Sequence, residues 1–281
     1  MELLKGAEVR KALIRRIREE MEALPCAPRL VMIRAGEDPS DIAYEKNAVK
    51  LAEKLGIRAE TAAVPRDISH EAFMEVFRSV NGDPDTDGIL IFRPLPKQIR
   101  TDEVMDCLDP LKDVDCLSPR NLSDLFAGKT VNGPCTAEAV MEMMHYAGIT
   151  AEGKRAVVIG RSMVIGKPLA MMLMKENATV TVCHTKTIDT AAIAKEAELL
   201  FACAGRAGLV DSTYVKPGAA VFDVGINVTE DGSIVGDCDA ASVEEKASFL
   251  TPVPGGVGAV TTAVLMHHVV KNALKRRGSN E

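Results

Sequence analysis

The sequence has no apolar run approaching the roughly 18 residues that cross a bilayer. Charges interrupt Met1 to Glu20 every few positions, so this stretch holds no signal-peptide core. There is no cationic excess: 34 lysines and arginines against 40 acids leave a net charge of −6. That argues against a broad nucleic-acid or membrane footprint and leaves room for a local basic pocket. No CxxC pair exists, and the seven cysteines (26, 107, 116, 135, 183, 203 and 238) are scattered and odd in number. No disulfide framework, zinc site or other metal site is expected, and the cysteine usage fits a reducing cytoplasm. Internal repeats and low-complexity tracts are also missing. What is present is globular: 47% apolar and 26% charged residues, in a 281-residue chain long enough for about two domains.

Short apolar runs alternate with helix-length segments, which argues for parallel βαβ units. The first 25 residues have helical periodicity. Strands are expected at Leu30–Gly36, Ile57–Val64 and Gly88–Phe92, the last stopped by Pro94-Leu95-Pro96. Ser40 or Asp41 is expected to cap the helix running to about Leu55, and Ser69 starts another. Asp109–Pro119 holds two prolines and three aspartates and reads as a loop, where binding groups concentrate. After a break at Asn132-Gly133-Pro134 a helix is expected from Thr136 to about Tyr146. A second α/β unit follows over roughly 140–255, with strands at Arg155–Gly160, Ala178–His184, Glu198–Gly205 and Ala219–Gly225. Glu230-Asp231-Gly232 reads as a hairpin tip. The chain after Gly258 reads as a long helix whose Lys271, Lys275, Arg276 and Arg277 suit the helix dipole.

Three segments are candidates for chemistry. In AVVIGRSMVIGKPLAMML a buried strand ends at Gly160 and a helix begins near Gly166 to Pro168, the place where an α/β sheet binds phosphates. It is neither GxGxxG nor a P-loop, and a plain tight turn is the alternative. The next strand runs into Cys183-His184-Thr185-Lys186-Thr187 with none of the carboxylate that an NAD site places on the ribose. Arg161, Thr185 and Lys186 are candidates for a 2′-phosphate, although a solvated strand end explains Lys186 equally well. Thr251–Gly258, TPVPGGVG, combines two prolines that fix φ with three glycines that let backbone approach a ligand.

Taken together the sequence resembles the bifunctional methylenetetrahydrofolate dehydrogenase/methenyltetrahydrofolate cyclohydrolase family over essentially its whole length. The resemblance rests on Lys112-Asp113-Val114-Asp115, Pro134-Cys135-Thr136, Gly160-Arg161-Ser162, Asp223 to Asn227, Val235-Gly236-Asp237 and Thr251 to Gly258, in the family's order and spacing. It implies an α/β fold with two domains around a cleft. Residues 1–138 with the C-terminal helix 259–281 would form the folate-binding catalytic domain. Residues 139–258 would form a Rossmann-like NADP-binding domain with a mainly parallel sheet. The resemblance also implies a folate substrate, NADP as cofactor, a cytoplasmic homodimer and no nucleic-acid or membrane partner. Tyr44 matches the tyrosine that stacks on folate and Asp115 the aspartate that hydrogen-bonds the pterin, which makes them the candidate catalytic pair. Taken alone, Tyr44 has packing on a helix as its alternative, and for Asp115 a loop cap is the favoured reading. Gly160, Arg161, Ser162, Thr185 and Ile226 match NADP contacts. Pro254, Gly255 and Gly256 match the loop lining the folate cleft.

Two positions depart from the pattern. The family's cyclohydrolase lysine follows the tyrosine by four residues, and here that position is Ala48. The glutamine that usually stands beside it is Phe92. Lys46 and Lys50 lie about 200° around a helix from Ala48, on the far face. The expectation is therefore NADP-dependent oxidation of 5,10-methylenetetrahydrofolate to the methenyl form, with cyclohydrolase activity weak or absent. The alternatives are a fully bifunctional enzyme using another residue, and a folate- or nucleotide-binding protein without catalysis.

Overall fold

The structure is a computed structural model that describes residues 1–129 and 132–278. In chain order its elements are β1 (Glu2–Leu3), α1 (Gly6–Met21), β2 (Arg29–Ala35), α2 (Pro39–Leu55), β3 (Arg58–Val64), α3 (His70–Gly82), β4 (Gly88–Ile91), α4 (Thr101–Cys107), α5 (Pro119–Phe126) and α6 (Cys135–Tyr146). They continue as β5 (Arg155–Ile159), α7 (Gly166–Lys175), β6 (Thr179–Cys183), α8 (Thr190–Ala194), β7 (Leu199–Ala202), β8 (Ala220–Asp223), β9 (Asn227–Val228), β10 (Ile234–Val235), α9 (Ala240–Glu244), β11 (Phe249–Leu250) and α10 (Thr261–Gly278). The chain divides into two compact units, one of Met1–Lys11, Leu125–Lys129 and Thr136–Thr261, the other of Ala12–Asp124, Thr130–Cys135 and Thr262–Glu281.

The second of these units is built on a parallel sheet in the order β3-β2-β4. In β2, Leu30, Val31, Met32 and Ile33 are all buried, as is every residue of β4. Unbroken apolar runs are what a parallel strand covered on both faces requires. Helix α2 buries Ala48, Leu51, Ala52 and Leu55, an i, i+3, i+4, i+7 stripe. Its cap is Asp38 rather than Ser40 or Asp41. Pro39 opens the helix, where a missing N–H costs nothing, and the Asp38 carboxylate accepts from Ser40 N at 2.8 Å. Gly56, at φ 76°, closes it in the left-handed conformation that glycine adopts without strain. Ser69 caps α3 by accepting from Ala72 N at 3.1 Å. A side chain at Gly88 would meet Val114 and Val269 within 3 Å, so only glycine lets α10 lie this close to β4. The basic end of α10 does more than complement a dipole: Arg276 and Arg277 both pair with the buried Asp87.

The other unit carries a six-stranded sheet in the order β1-β11-β8-β7-β5-β6, every pairing parallel. β1, two residues too short to leave a periodicity in sequence, extends the edge beyond β11. The chain runs from β5 through α7 to β6 on one side, then through α8 to β7 on the other. The strand order therefore reverses between β5 and β7, the switch point where open α/β sheets bind ligands. The expected hairpin is present as antiparallel β9 and β10 around Glu230-Asp231-Gly232. α4 and α5 were not expected. α5 starts at Pro119, which is allowed in a first turn and reads in sequence as the end of a loop.

Candidate functional site

In the β3-β2-β4 unit the loop between α4 and α5 is fixed by its own charged residues. Asp113 is fully buried and accepts from the backbone N–H groups of Asp115, Leu117 and Ser118 at 3.2, 3.0 and 2.9 Å, and from Asn121 Nδ2 at 3.0 Å. Lys112 Nζ donates to the carbonyls of Asn81 and Asp83 at 2.6 and 2.7 Å. These two residues hold a turn that presents Asp115. Asp115 Oδ1 accepts from Cys135 N at 2.8 Å, and Oδ2 faces Arg93 Nη2 at 3.8 Å. Burial pushes its carboxyl up, while the Cys135 N–H and the Arg93 guanidinium pull it back down. Tyr44, on the first half of α2, packs edge-on against Phe92 with ring centroids 6.1 Å apart. Burial, with Cys135 and Asp115 close by, pushes the Tyr44 hydroxyl well above its ordinary value, against a hydrogen bond with Thr262. Ala48 is fully buried, whereas Lys46 and Lys50 are exposed. The structure thus brings Tyr44, Phe92, Arg93, Asp115 and Cys135 to one place. The sequence offered one clue to Arg93, a cation directly after a fully apolar strand and before Pro94.

In the six-stranded unit the loops after β5 and β7 touch. A side chain at Gly160, which has φ 135°, would lie 2.2 Å from the Cys203 carbonyl oxygen. One at Gly166 would lie 2.2 Å from the Gly160 carbonyl oxygen. Helix α7 starts without a side-chain cap from Ile165, and Ser162 turns back to receive Ile165 N at 3.1 Å. Arg161 and Ser162 are exposed on this loop, and Thr185 and Lys186 are exposed at the end of β6. The next carboxylate along the chain, Asp189, caps α8 by accepting from Ala192 N at 3.1 Å. Backbone fills the space a Cβ would need at both glycines, and the guanidinium and hydroxyls exposed after β5 and at the end of β6 suit the phosphates of a dinucleotide.

The same unit carries Ile226, 62% exposed, whose side chain lies against Gly258 in the Thr251–Gly258 loop. Pro254 and Gly255 are exposed in that loop, but Gly256 is buried, and its missing Cβ makes room for the Pro252 carbonyl. Gly6 N donates to Gly255 O at 2.8 Å. Beneath it lie two acids. Asp237 accepts from Ala204, Gly205 and Arg206 N at 2.6, 2.9 and 2.8 Å and from Asn227 Nδ2 at 2.9 Å. Asp223 accepts from Gly225, Asp237 and Cys238 N at 3.1, 2.9 and 2.9 Å. Each carboxylate occupies the space left by a glycine, Asp237 at Gly225 and Asp223 at Gly236. The paired DVG and VGD segments are therefore framework for the loops after β7 and β8.

Residues 4–115 match the model of the tetrahydrofolate dehydrogenase/cyclohydrolase catalytic domain, and residues 134–277 that family's NAD(P)-binding domain. The Bifunctional protein FolD of Alkaliphilus oremlandii is 45% identical over 273 residues, 96% of each chain. The crystal structure of the bifunctional FolD dehydrogenase/cyclohydrolase from Campylobacter jejuni superposes with a TM-score of 0.95 at 37% identity, covering 98% of this chain and 99% of that one. The Trypanosoma brucei dehydrogenase-cyclohydrolase, solved with NADP cofactor and an inhibitor, gives 0.90 at 32% identity over 99% and 98%. Both halves of the sequence, their order and the fold agree, and the chain belongs to the tetrahydrofolate dehydrogenase/cyclohydrolase family.

Proposed function

We propose that this protein is an NADP-dependent 5,10-methylenetetrahydrofolate dehydrogenase whose cyclohydrolase activity is weak or absent. The observation that carries the reading is the Asp115 corner: an aspartate with one oxygen on the Cys135 N–H and the other facing the Arg93 guanidinium, beside Tyr44. A carboxylate so held accepts two N–H groups from an aminopyrimidine ring, and an aromatic face beside it suits a planar heterocycle. NADP, when bound, supplies the hydride acceptor. The folate nitrogen lone pair drives hydride departure, so no side chain has to remove a proton. The protein's task is to hold donor carbon and acceptor ring in contact and to keep water away. Tyr44, Asp115, Pro254, Gly255 and Gly256 bind substrate in this reading. Gly160, Arg161, Ser162, Thr185 and Ile226 bind the dinucleotide, and the absence of a free acid after β6 supports NADP over NAD.

Cyclohydrolysis adds water to the methenyl carbon and opens the ring, which needs a group that moves protons there. Ala48 has none, Phe92 makes the corner more apolar, and the exposed Lys46 and Lys50 lie on the other face of α2. The test is a coupled assay following NADPH and methenyltetrahydrofolate together. Equal and persistent accumulation of both is expected. Absence of NADP⁺-dependent turnover would leave a binding protein, and rapid loss of methenyl product would restore the bifunctional reading.

A further inference from the structure

The substrate ring proposed above presents one polar edge in a fixed order: a 2-amino donor, the N3–H donor, then the 4-oxo acceptor. Asp115 complements the two donors and has nothing for the third group. A donor is required beside the oxygen that meets N3–H, and of the two Asp115 oxygens Oδ1 takes the Cys135 backbone N–H while Oδ2 is the one that faces Arg93. Arg93 stands there, with Nη2 at 3.8 Å, too far for a hydrogen bond and near enough to share a ligand. Among the described residues Arg93 makes no hydrogen bond and pairs with no other acid, and its side chain is 30% exposed. It also borders a cavity of about 530 Å³ lined by Ser40, Asp41, Arg66 and Gln98, so the guanidinium has room to reorient. The planar fork of an arginine suits a carbonyl next to a carboxylate.

We propose that Arg93 is a substrate-binding residue that donates to the 4-oxo oxygen of the pterin, completing with Asp115 a two-acceptor, one-donor match to a 2-amino-4-oxopyrimidine edge. This rests on the folate reading and deepens it. Arg93 immediately follows Phe92, so one two-residue step at the end of β4 removes polarity from the Ala48 corner and adds a cation at the Asp115 corner. The chain has the means to bind the pterin tightly while lacking the means to hydrolyse the bridge.

The full-length protein is assayed first for NADP⁺-dependent oxidation of methylenetetrahydrofolate. No turnover in the parent protein would overturn the functional reading itself, and Arg93 with it. With turnover present, Arg93→Leu is expected to raise KM for folate about tenfold or more, with kcat and KM for NADP within twofold. Arg93→Lys should recover a large part of the loss. The ring-specific readout is inhibition by tetrahydrofolate and by its 4-amino analogue, in which the acceptor at C4 becomes a donor. The parent should prefer the 4-oxo compound, and Arg93→Leu should shrink that preference at least fivefold. An unchanged preference and folate KM would show that Arg93 does not read the ring. Parallel loss of folate and NADP affinity with a lowered Tm would show that it only supports the fold, and either result overturns the proposal.

Discussion

At the scale of the residue, Asp115 and Asp223 show how one side-chain type serves two ends. Asp115 turns one oxygen to the Cys135 N–H and the other toward Arg93, and in the proposed site its charge is what substrate meets. Asp115→Asn replaces one acceptor by an NH₂ that opposes a donor. Losing charge-assisted hydrogen bonds costs roughly 1.5–3 kcal/mol, so kcat/KM for folate should fall about 10- to 100-fold while NADP binding barely moves. Unchanged folate kinetics would remove Asp115 from the site. Asp223 is 4% exposed and has three N–H donors of its own backbone surroundings. Burial pushes its carboxyl up from 3.8 to about 6, partly opposed by those N–H groups and reinforced by Asp237. A raised carboxyl binds a proton more tightly in the folded chain than in the unfolded one. Its stabilising contribution is complete below pH 3.8 and is lost as pH rises through about 6. Between pH 5 and 7 this group alone should lower the unfolding free energy by about 1 kcal/mol. Urea titrations at both pH values check it: Asp223→Asn should remove that difference, and an identical difference in the variant would refute the assignment.

At the scale of the element, α2 carries the substrate question. Its apolar stripe fixes which way the helix faces, and that in turn buries Ala48 and exposes Lys46 and Lys50. Rotation of a helix about its axis to bring either lysine inward would expose Leu51 and Leu55. Methenyltetrahydrofolate supplied directly should therefore decay at the uncatalysed rate, and Lys46→Ala and Lys50→Ala should change nothing. A fast decay abolished by either substitution would show that the face argument fails. Ala48→Lys should restore only a small rate. It places an amine in a buried apolar corner beside Phe92, where desolvation lowers its pKa and the fold loses stability. Pairing it with Phe92→Gln should raise the rate further. The end of β4 is the second such element, because a four-residue strand buried on all sides has no freedom to choose where Phe92 and Arg93 emerge.

At the scale of the whole molecule, the proposed cofactor choice rests on residues of the six-stranded unit alone. The end of β6 offers Thr185, the neighbouring loop offers Arg161, and Asp189 is occupied as a helix cap. kcat/KM should favour NADP over NAD, and Arg161→Ala should cost roughly 1.5–3 kcal/mol with NADP and far less with NAD. Equal efficiency with both cofactors in the parent protein would refute the reading.

Much of this architecture was legible in the residues themselves. Continuous apolar runs at 30–33, 88–91 and 156–159 specified buried parallel strands. Glycines and prolines marked the turns, and the order of short motifs specified the family. Those signals are local: a strand needs a run, a cap needs one side chain, a tight turn needs one φ. Sequence could not show that Asp38 caps α2 ahead of Ser40, because the choice depends on where the helix starts after Pro39. Nor could it show that Arg276 and Arg277 clamp Asp87 from 190 residues away, or that β1 pairs with β11. The glycines of DVG and VGD carry no local sign of their role, which is to leave the spaces that Asp237 and Asp223 fill. The partnership of Arg93 with Asp115 is of the same kind. Each residue is ordinary alone, and only packing β4 against the Lys112–Ser118 turn sets a guanidinium beside a carboxylate, because hydrogen bonds and ion pairs act over ångströms in space and are blind to separation along the chain.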